Sequence, residues 1–422
     1  MKKLWGNYKS TIILLVAMIV GAIIGLIAGE KATVLSPLGD LYINLLMVII
    51  VPLVFLTITT SIAKMRQPKR LGKVITTIFV VIIITSLIAV LVGLLSTYFV
   101  KLVDTEDGEQ IKASLELEDE TNGETQIEET EEISIPDQLV STVTVNDFYK
   151  LLSRDNIIAI LVFAILFGIS INMAKEKGEP VLKFLESANE VVLNLIKITS
   201  YYAPIGLGCY LAALVGTFGA SIAIGYATTF IYYNIIAIVF FVVAYTLYAF
   251  IAGKKKGVVA FWKNILPPSA TALATCSSGA SIPSSMEAAK KMGVSDDIAA
   301  TTVSIGTNFH KDGSIIGSVF KIMFLVCLFG GSVSGGAGVL SILGIALLAT
   351  LLVTAVPIGG GTISEMLIIT MLGYPVAALP ILTMVATIID PLATLLNVTG
   401  NTVNSMLVAR FVDGKEWMEE KK

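Results

Sequence analysis

The chain has 422 residues, of which 55% are apolar and only 14% are Asp, Glu, Lys or Arg, and its mean hydropathy is +0.84. Soluble domains carry about a quarter charged residues, so this composition excludes an ordinary water-facing surface and points to a polytopic membrane protein. One histidine and three cysteines (Cys209, Cys276, Cys327) are too few for zinc clusters or a disulfide framework, and a net charge of −3 lacks the basic balance of a nucleic-acid binder.

Six continuous apolar runs are long enough to cross about 30 Å of hydrocarbon. They lie at 12–28, 41–63, 74–100, 157–173, 191–215 and 222–252. The first follows Lys2 and Lys3 but is too long for a signal core and meets no small-residue cleavage site, so it reads as a retained span. Basic residues punctuate alternate loops: Lys2, Lys3 and Lys9; Lys64, Arg66, Lys69, Arg70 and Lys73; Lys175, Lys177 and Lys183; Lys254, Lys255 and Lys256. The positive-inside rule assigns these loops to the cytoplasm and predicts a plasma-membrane protein with both termini inside. The loop after the third run holds 14 acids between Asp104 and Asp137, with Lys112 as its only base. It shows no helical stripe and reads as a solvated outside loop rather than a calcium site, because the alternating ligands of a calcium loop are missing. Without it the chain carries 28 bases against 18 acids, a balance of +10.

Beyond Gly257 the apolar stretches shorten and four polar breaks interrupt them. They are Thr275-Cys-Ser-Ser-Gly-Ala-Ser-Ile-Pro-Ser284, Ile305-Gly-Thr-Asn-Phe-His-Lys-Asp-Gly-Ser314, Ala355-Val-Pro-Ile-Gly-Gly-Gly-Thr362 and Asn397-Val-Thr-Gly-Asn401, the last preceded by Asp390. Non-helical backbone at membrane depth survives only when buried in protein or lining a wet cavity. Two breaks read as tips of re-entrant hairpins and two as mid-span unwinding, in alternation, which predicts an internal repeat. Discontinuous helices in corresponding halves are the sequence mark of a transporter's substrate site. Most charges fall in loops, leaving Lys311, Asp312 and Asp390 as the few expected at membrane depth.

With the Ser-rich tip and Pro283, the Asp312-Gly313-Ser314 break, the Val356-Pro357 tip with its three glycines, and Asn397-Val-Thr-Gly400 after Asp390, the chain resembles the dicarboxylate/amino acid:cation symporter family. The resemblance implies an all-α polytopic protein of eight spans and two opposed hairpins, assembled as a homotrimer and working as an elevator. Residues 1–73 (first two spans) and 151–215 (spans four and five, trimerisation) would form the scaffold. Residues 74–101 and 216–411 would form the transport domain, with 102–150 the acidic loop outside and 412–422 a cytoplasmic tail.

Asp390 lies seven residues before Asn397, on one face of the last span. The resemblance implies that Asp390 holds a substrate's amino group, while Asn397, Ser277 and Ser278 hold its carboxylate. Cys276, Ala393, Thr394, Val356, Pro357, Gly359 and Gly360 complete the implied substrate set. Acidic-substrate relatives carry an arginine at the position of Ala393 or in the first tip, where this chain has Cys276. Bidentate guanidinium recognition is not replaceable by a small apolar group. A zwitterionic amino acid with an uncharged side chain is therefore the expected substrate.

Sodium-coupled relatives read Asn-Met-Asp-Gly-Thr at the second break, where this chain reads His310-Lys311-Asp312-Gly313-Ser314. Thr85 and Ser86 match the family's ligand positions, but a last-span Asp is replaced by Asn401 and a tyrosine by Ile82. Oxygen ligands have been lost and a cation gained. The expected coupling set is His310, Lys311, Asp312, Asn308, Asn401, Thr85 and Ser86, with H+ as coupling ion and no cofactor or metal site; the alternative is a Na+-coupled amino acid or dicarboxylate symporter. A Lys311–Asp312 ion pair that only holds the broken helix would instead make a uniporter or exchanger. A channel or membrane enzyme lacks support: His310 neighbours no nucleophile motif, and the Gly-rich tip has no phosphate-loop lysine.

Overall fold

The structure, a computed structural model, describes residues 2–63, 71–104, 108–121, 144–153, 156–331, 335–351 and 362–418. Among them every regular element is helical. In chain order these are α1 (Lys2–Ala28), α2 (Ser36–Ala63), α3 (Leu71–Tyr98), α4 (Gly108–Thr121), α5 (Phe148–Leu151), α6 (Ile157–Met173), α7 (Glu179–Phe218), α8 (Ala220–Asn264), α9 (Leu266–Thr275), α10 (Ile282–Lys291), α11 (Asp296–Phe309), α12 (Asp312–Leu328), α13 (Gly335–Leu351), α14 (Thr362–Leu372) and α15 (Leu379–Val412). With no water to satisfy backbone groups, an apolar chain in lipid closes its hydrogen bonds within each helix. Among the described residues, five stretches are long and apolar enough to cross a membrane: Ile12–Tyr42, Lys73–Tyr98, Tyr201–Phe218, Ala220–Asn264 and Val376–Val412. Shorter apolar helices lie at Val51–Thr60, Val162–Met173 and Gly335–Thr350. The side chains of Ile19, Ile27, Val48 and Ile198 are exposed on the outside, as a lipid-facing surface requires.

The helices sort into two packed groups. In one, α7 runs against both α1 and α2, and α6 lies on α2. Small residues let the first of these contacts close: a Cβ placed on Gly21 of α1 would collide with the Gly208 backbone of α7. In the other, α15 is the central element, flanked by α8, α9, α10, α11, α12 and α3. Twenty-six residues of α15 are buried, so the last span is a core helix of the protein rather than a lipid-facing one.

Three expectations change. The run at 397–401 does not unwind, because α15 is continuous from Leu379 to Val412. Its threonines satisfy themselves on the helix, Thr399 and Thr402 donating to the carbonyls of Leu395 and Val398. The acidic segment does contain an amphipathic helix: Ile111 and Leu115 of α4 are buried one turn apart, and α4 packs on the short turn Val376–Ala378. Membrane-depth charge is more abundant than expected, since Lys321 on α12 and Glu365 on α14 are also buried. The first break holds: α9 ends at Cys276, whose φ of 46° is left-handed, and α10 returns from Ile282 to pack beside α9. The second break is two residues long, with His310 and Lys311 extended between α11 and α12. The third break, 355–362, lies outside the described residues apart from Thr362.

Candidate functional site

Because His310 (φ −110°, ψ 115°) and Lys311 (φ −148°, ψ 68°) leave the helical path, the chain presents three successive ionisable side chains to the protein interior. His310, Lys311 and Asp312 are all buried, and Asp312 opens α12, where the helix dipole favours a negative charge. The junction sits tight against α15. A Cβ on Gly313 would strike the backbone of Ala393, and one on Gly400 would lie 2.6 Å from Tyr245 Oη and 2.9 Å from His310 Cε1.

His310 bridges two oxygens. Its Nε2 lies 2.9 Å from Asp312 Oδ1, and its Nδ1 lies 3.0 Å from Asn401 Oδ1. The first approach is short but lacks hydrogen-bond angles, leaving Nε2 and Oδ1 facing each other without a formed bond. The other carboxylate oxygen of Asp312, Oδ2, lies 3.1 Å from Tyr245 Oη, whose single hydrogen it shares with the Leu396 carbonyl at 2.7 Å. Tyr233 donates to the Gly313 carbonyl at 2.9 Å. Neither tyrosine stands out in the sequence, because both sit in an apolar span where aromatic residues are ordinary filling.

Among the residues expected to hold substrate, Thr394 donates to Asp390 Oδ1 at 3.3 Å. Asn397 makes a two-point contact with Ser314, accepting from its backbone N–H at 3.2 Å and donating to its Oγ at 3.0 Å. Asp390, Ala393, Thr394 and Asn397 therefore line the stretch of α15 that faces the start of α12. The first tip packs in the same group, α9 and α10 both lying on α15. Within it Cys276, Ser277 and Ser278 are buried, and Ser277 Oγ accepts from the Ala280 N–H at 3.2 Å.

This arrangement brings the two arms of a discontinuous helix against a polar, buried stretch of the last span. A family model described as "Sodium:dicarboxylate symporter family" matches residues 11–411. The chain belongs to this family.

Curated relatives agree. A proton/sodium-glutamate symport protein of Bacillus caldotenax is 26% identical over 95% of this chain and 96% of its own length. A C4-dicarboxylate transport protein of Rhizobium leguminosarum is 28% identical over 94% of this chain and 87% of its own length, and one of Xanthomonas oryzae is 26% identical over similar shares. These are names of transporters, not of enzymes, so this symporter-family chain is an integral membrane transporter.

Other expected residues divide. Thr85 meets α15, accepting from Asn404 Nδ2 at 3.4 Å, one turn beyond Asn401, and Ser86 is buried beside it. Asn308 does not join the cluster: it is exposed, and its amide donates to its own helix at the Ser304 carbonyl. The reason is register, since Thr307 and Gly306 take the inward face of α11. Val356, Pro357, Gly359 and Gly360 lie outside the described residues. Among the described residues no group of three His, Cys, Asp or Glu side chains converges to hold a metal ion. Reading for breaks missed Lys321 and Glu365, whose Nζ and Oε1 stand 3.7 Å apart. A lysine inside Phe320-Lys-Ile-Met-Phe324 was signal enough, because an ionisable residue in an apolar run is functional by default.

Proposed function

We propose that the protein is a proton-coupled symporter for a zwitterionic amino acid with an uncharged side chain, independent of sodium. One observation carries the coupling: the His310 ring stands between Asp312 and Asn401, two positions where the family resemblance implies cation ligands. With Asn401 oriented as it stands, Nδ1–H donates to its oxygen and Nε2 faces the Asp312 carboxylate as a bare lone pair. A proton taken up on Nε2 turns that contact into an ion pair, imidazolium and carboxylate standing 2.9 Å apart. An imidazolium there serves as the cation. Lys311, buried next to it and acting electrostatically on Asp390, links the proton site to the substrate site.

The substrate reading rests on what surrounds Asp390. The relatives carry names of glutamate and C4-dicarboxylate transporters, but Ala393 offers no guanidinium to a second carboxylate. Asp390 supplies a site for an ammonium group, Asn397 and Ser314 for a carboxylate, and Thr394 for a polar side chain.

The remaining architecture follows the same reading. The helices α1, α2, α6 and α7 act as a static scaffold through which the protein trimerises in the plasma membrane. The group around α15, with α3, moves as an elevator. The tip after α9 is a re-entrant hairpin tip, and the chain makes eight spans with both termini in the cytoplasm.

Uptake into proteoliposomes tests the proposal. An inward proton gradient is expected to drive accumulation of a neutral amino acid such as serine, alanine or cysteine without sodium. Accumulation driven by a sodium gradient and indifferent to pH would refute the coupling. Accumulation of succinate or glutamate in preference to neutral amino acids would refute the substrate class.

A further inference from the structure

The coupling scheme leaves one buried ion pair unused. Lys321 Nζ and Glu365 Oε1 are 3.7 Å apart with side chains only 5% and 1% exposed, tying α12 to α14. Glu365 has a second partner, accepting from Thr383 of α15 at 2.8 Å. Burying such a pair is no route to stability, since apolar residues of like volume serve as well. Its position suggests a use. Lys321 is one turn beyond Gly317 on α12, and a Cβ on Gly317 would touch Ile389, the residue before Asp390. This geometry puts Lys321 on the face of α12 that packs on the Asp390 segment of α15, within electrostatic reach of Asp390 as well as Glu365. The charged groups acting on Asp390 are then Lys311, Lys321 and Glu365.

We propose that Lys321 is a positioning residue that stands in for the substrate's ammonium group at Asp390 when the site is empty, allowing the unloaded protein to return across the membrane. The idea rests on the reading of Asp390 as the ammonium site. A carboxylate at membrane depth needs cationic charge close by, so loss of the substrate would leave Asp390 with Lys311 alone, which the coupling scheme already engages, and slow the empty return. Lys321 is free to relieve this. At 3.7 Å its contact with Glu365 is longer than a charge-assisted hydrogen bond, so the ammonium can lean toward Asp390 and lie between the two carboxylates while Glu365 keeps the Thr383 hydroxyl. With substrate bound, the ammonium sites on Asp390 are filled and Lys321 stays with Glu365.

The test separates net uptake from exchange. Because Lys321→Met alone strands Glu365, the informative variant is Lys321→Met/Glu365→Met, which removes both charges and keeps the volume. In proteoliposomes, exchange of labelled for unlabelled substrate is expected to persist near the wild-type rate, while net uptake falls at least about tenfold. Glu365→Gln is expected to do the reverse, releasing Lys321 onto Asp390 and raising the KM for substrate several-fold. Net uptake preserved in the double variant would overturn the proposal, as would equal loss of both activities in protein that retains its thermal midpoint. Wild-type protein that neither takes up nor exchanges any amino acid would overturn the substrate reading itself, and this proposal with it.

Discussion

His310 and its neighbours differ from the sodium-coupled pattern at His310 and Asn401, which meet at 3.0 Å, and at the adjoining buried Lys311. Their combined reversal is therefore a sharper probe than any single change. His310→Asn/Lys311→Met/Asn401→Asp restores oxygen ligands and removes both cations, and is expected to render substrate binding sodium-dependent. Isothermal titration with and without sodium checks it; affinity unaltered by sodium would show that coupling is set elsewhere. A second residue-scale prediction concerns Ala393. Arginine at that position offers a bidentate donor to a side-chain carboxylate, and hydrogen bonds to charged groups are each worth about 1.5–3 kcal/mol. Ala393→Arg is expected to gain at least about tenfold in affinity for aspartate or glutamate, read in the same titration. Unchanged preference for neutral amino acids would place the side-chain pocket away from Ala393.

At the scale of elements, α15 shows where sequence stopped being informative. The apolar runs were legible because lipid leaves no alternative to helices, and the break at 310–311 was legible because three ionisable residues in a row have no place in a simple span. The polar run from Asn397 to Asn401 looked similar yet stays helical, because its partners arrive from other elements: Ser314 for Asn397 and His310 for Asn401. No local pattern contains that information. In α4, likewise, Ile111 and Leu115 are too few to make a stripe and are buried only because the Val376–Ala378 turn lies opposite. Gly400 carries an element-scale prediction. Replacing a mid-helix glycine with alanine ordinarily stabilises by about 1 kcal/mol. Here the added Cβ would sit 2.6 Å from Tyr245 Oη and 2.9 Å from the His310 ring, an overpacking that costs about 1–3 kcal/mol. The packing term is the larger, so Gly400→Ala is expected to lower the thermal midpoint. A raised midpoint would mean that His310 and Tyr245 yield freely, and that the proton site is looser than its geometry.

For the whole molecule the decisive quantity is the charge carried at membrane depth. Among the described residues of the group around α15 it comprises Lys311 and Lys321 against Asp312, Glu365 and Asp390, a formal balance of −1 with His310 neutral. A proton on His310 cancels it, and a zwitterionic substrate adds nothing. On the proposed proton-coupled elevator cycle, the loaded group would cross as a neutral body and the empty group with a formal charge of −1. Moving a unit charge fully across 100 mV is worth about 2.3 kcal/mol, so an inside-negative potential would speed the empty group outward and leave the loaded step alone. Net uptake under a potassium-diffusion potential is accordingly expected to rise with voltage, while exchange, which never uses the empty step, is expected to stay constant. A potential that alters exchange as well would put charge on the loaded step, with a further bound cation drawn inward and a dianionic substrate held back. A potential that alters neither would mean that the proton does not accompany the substrate, and the His310 bridge would then be a structural clasp in a simple exchanger or uniporter.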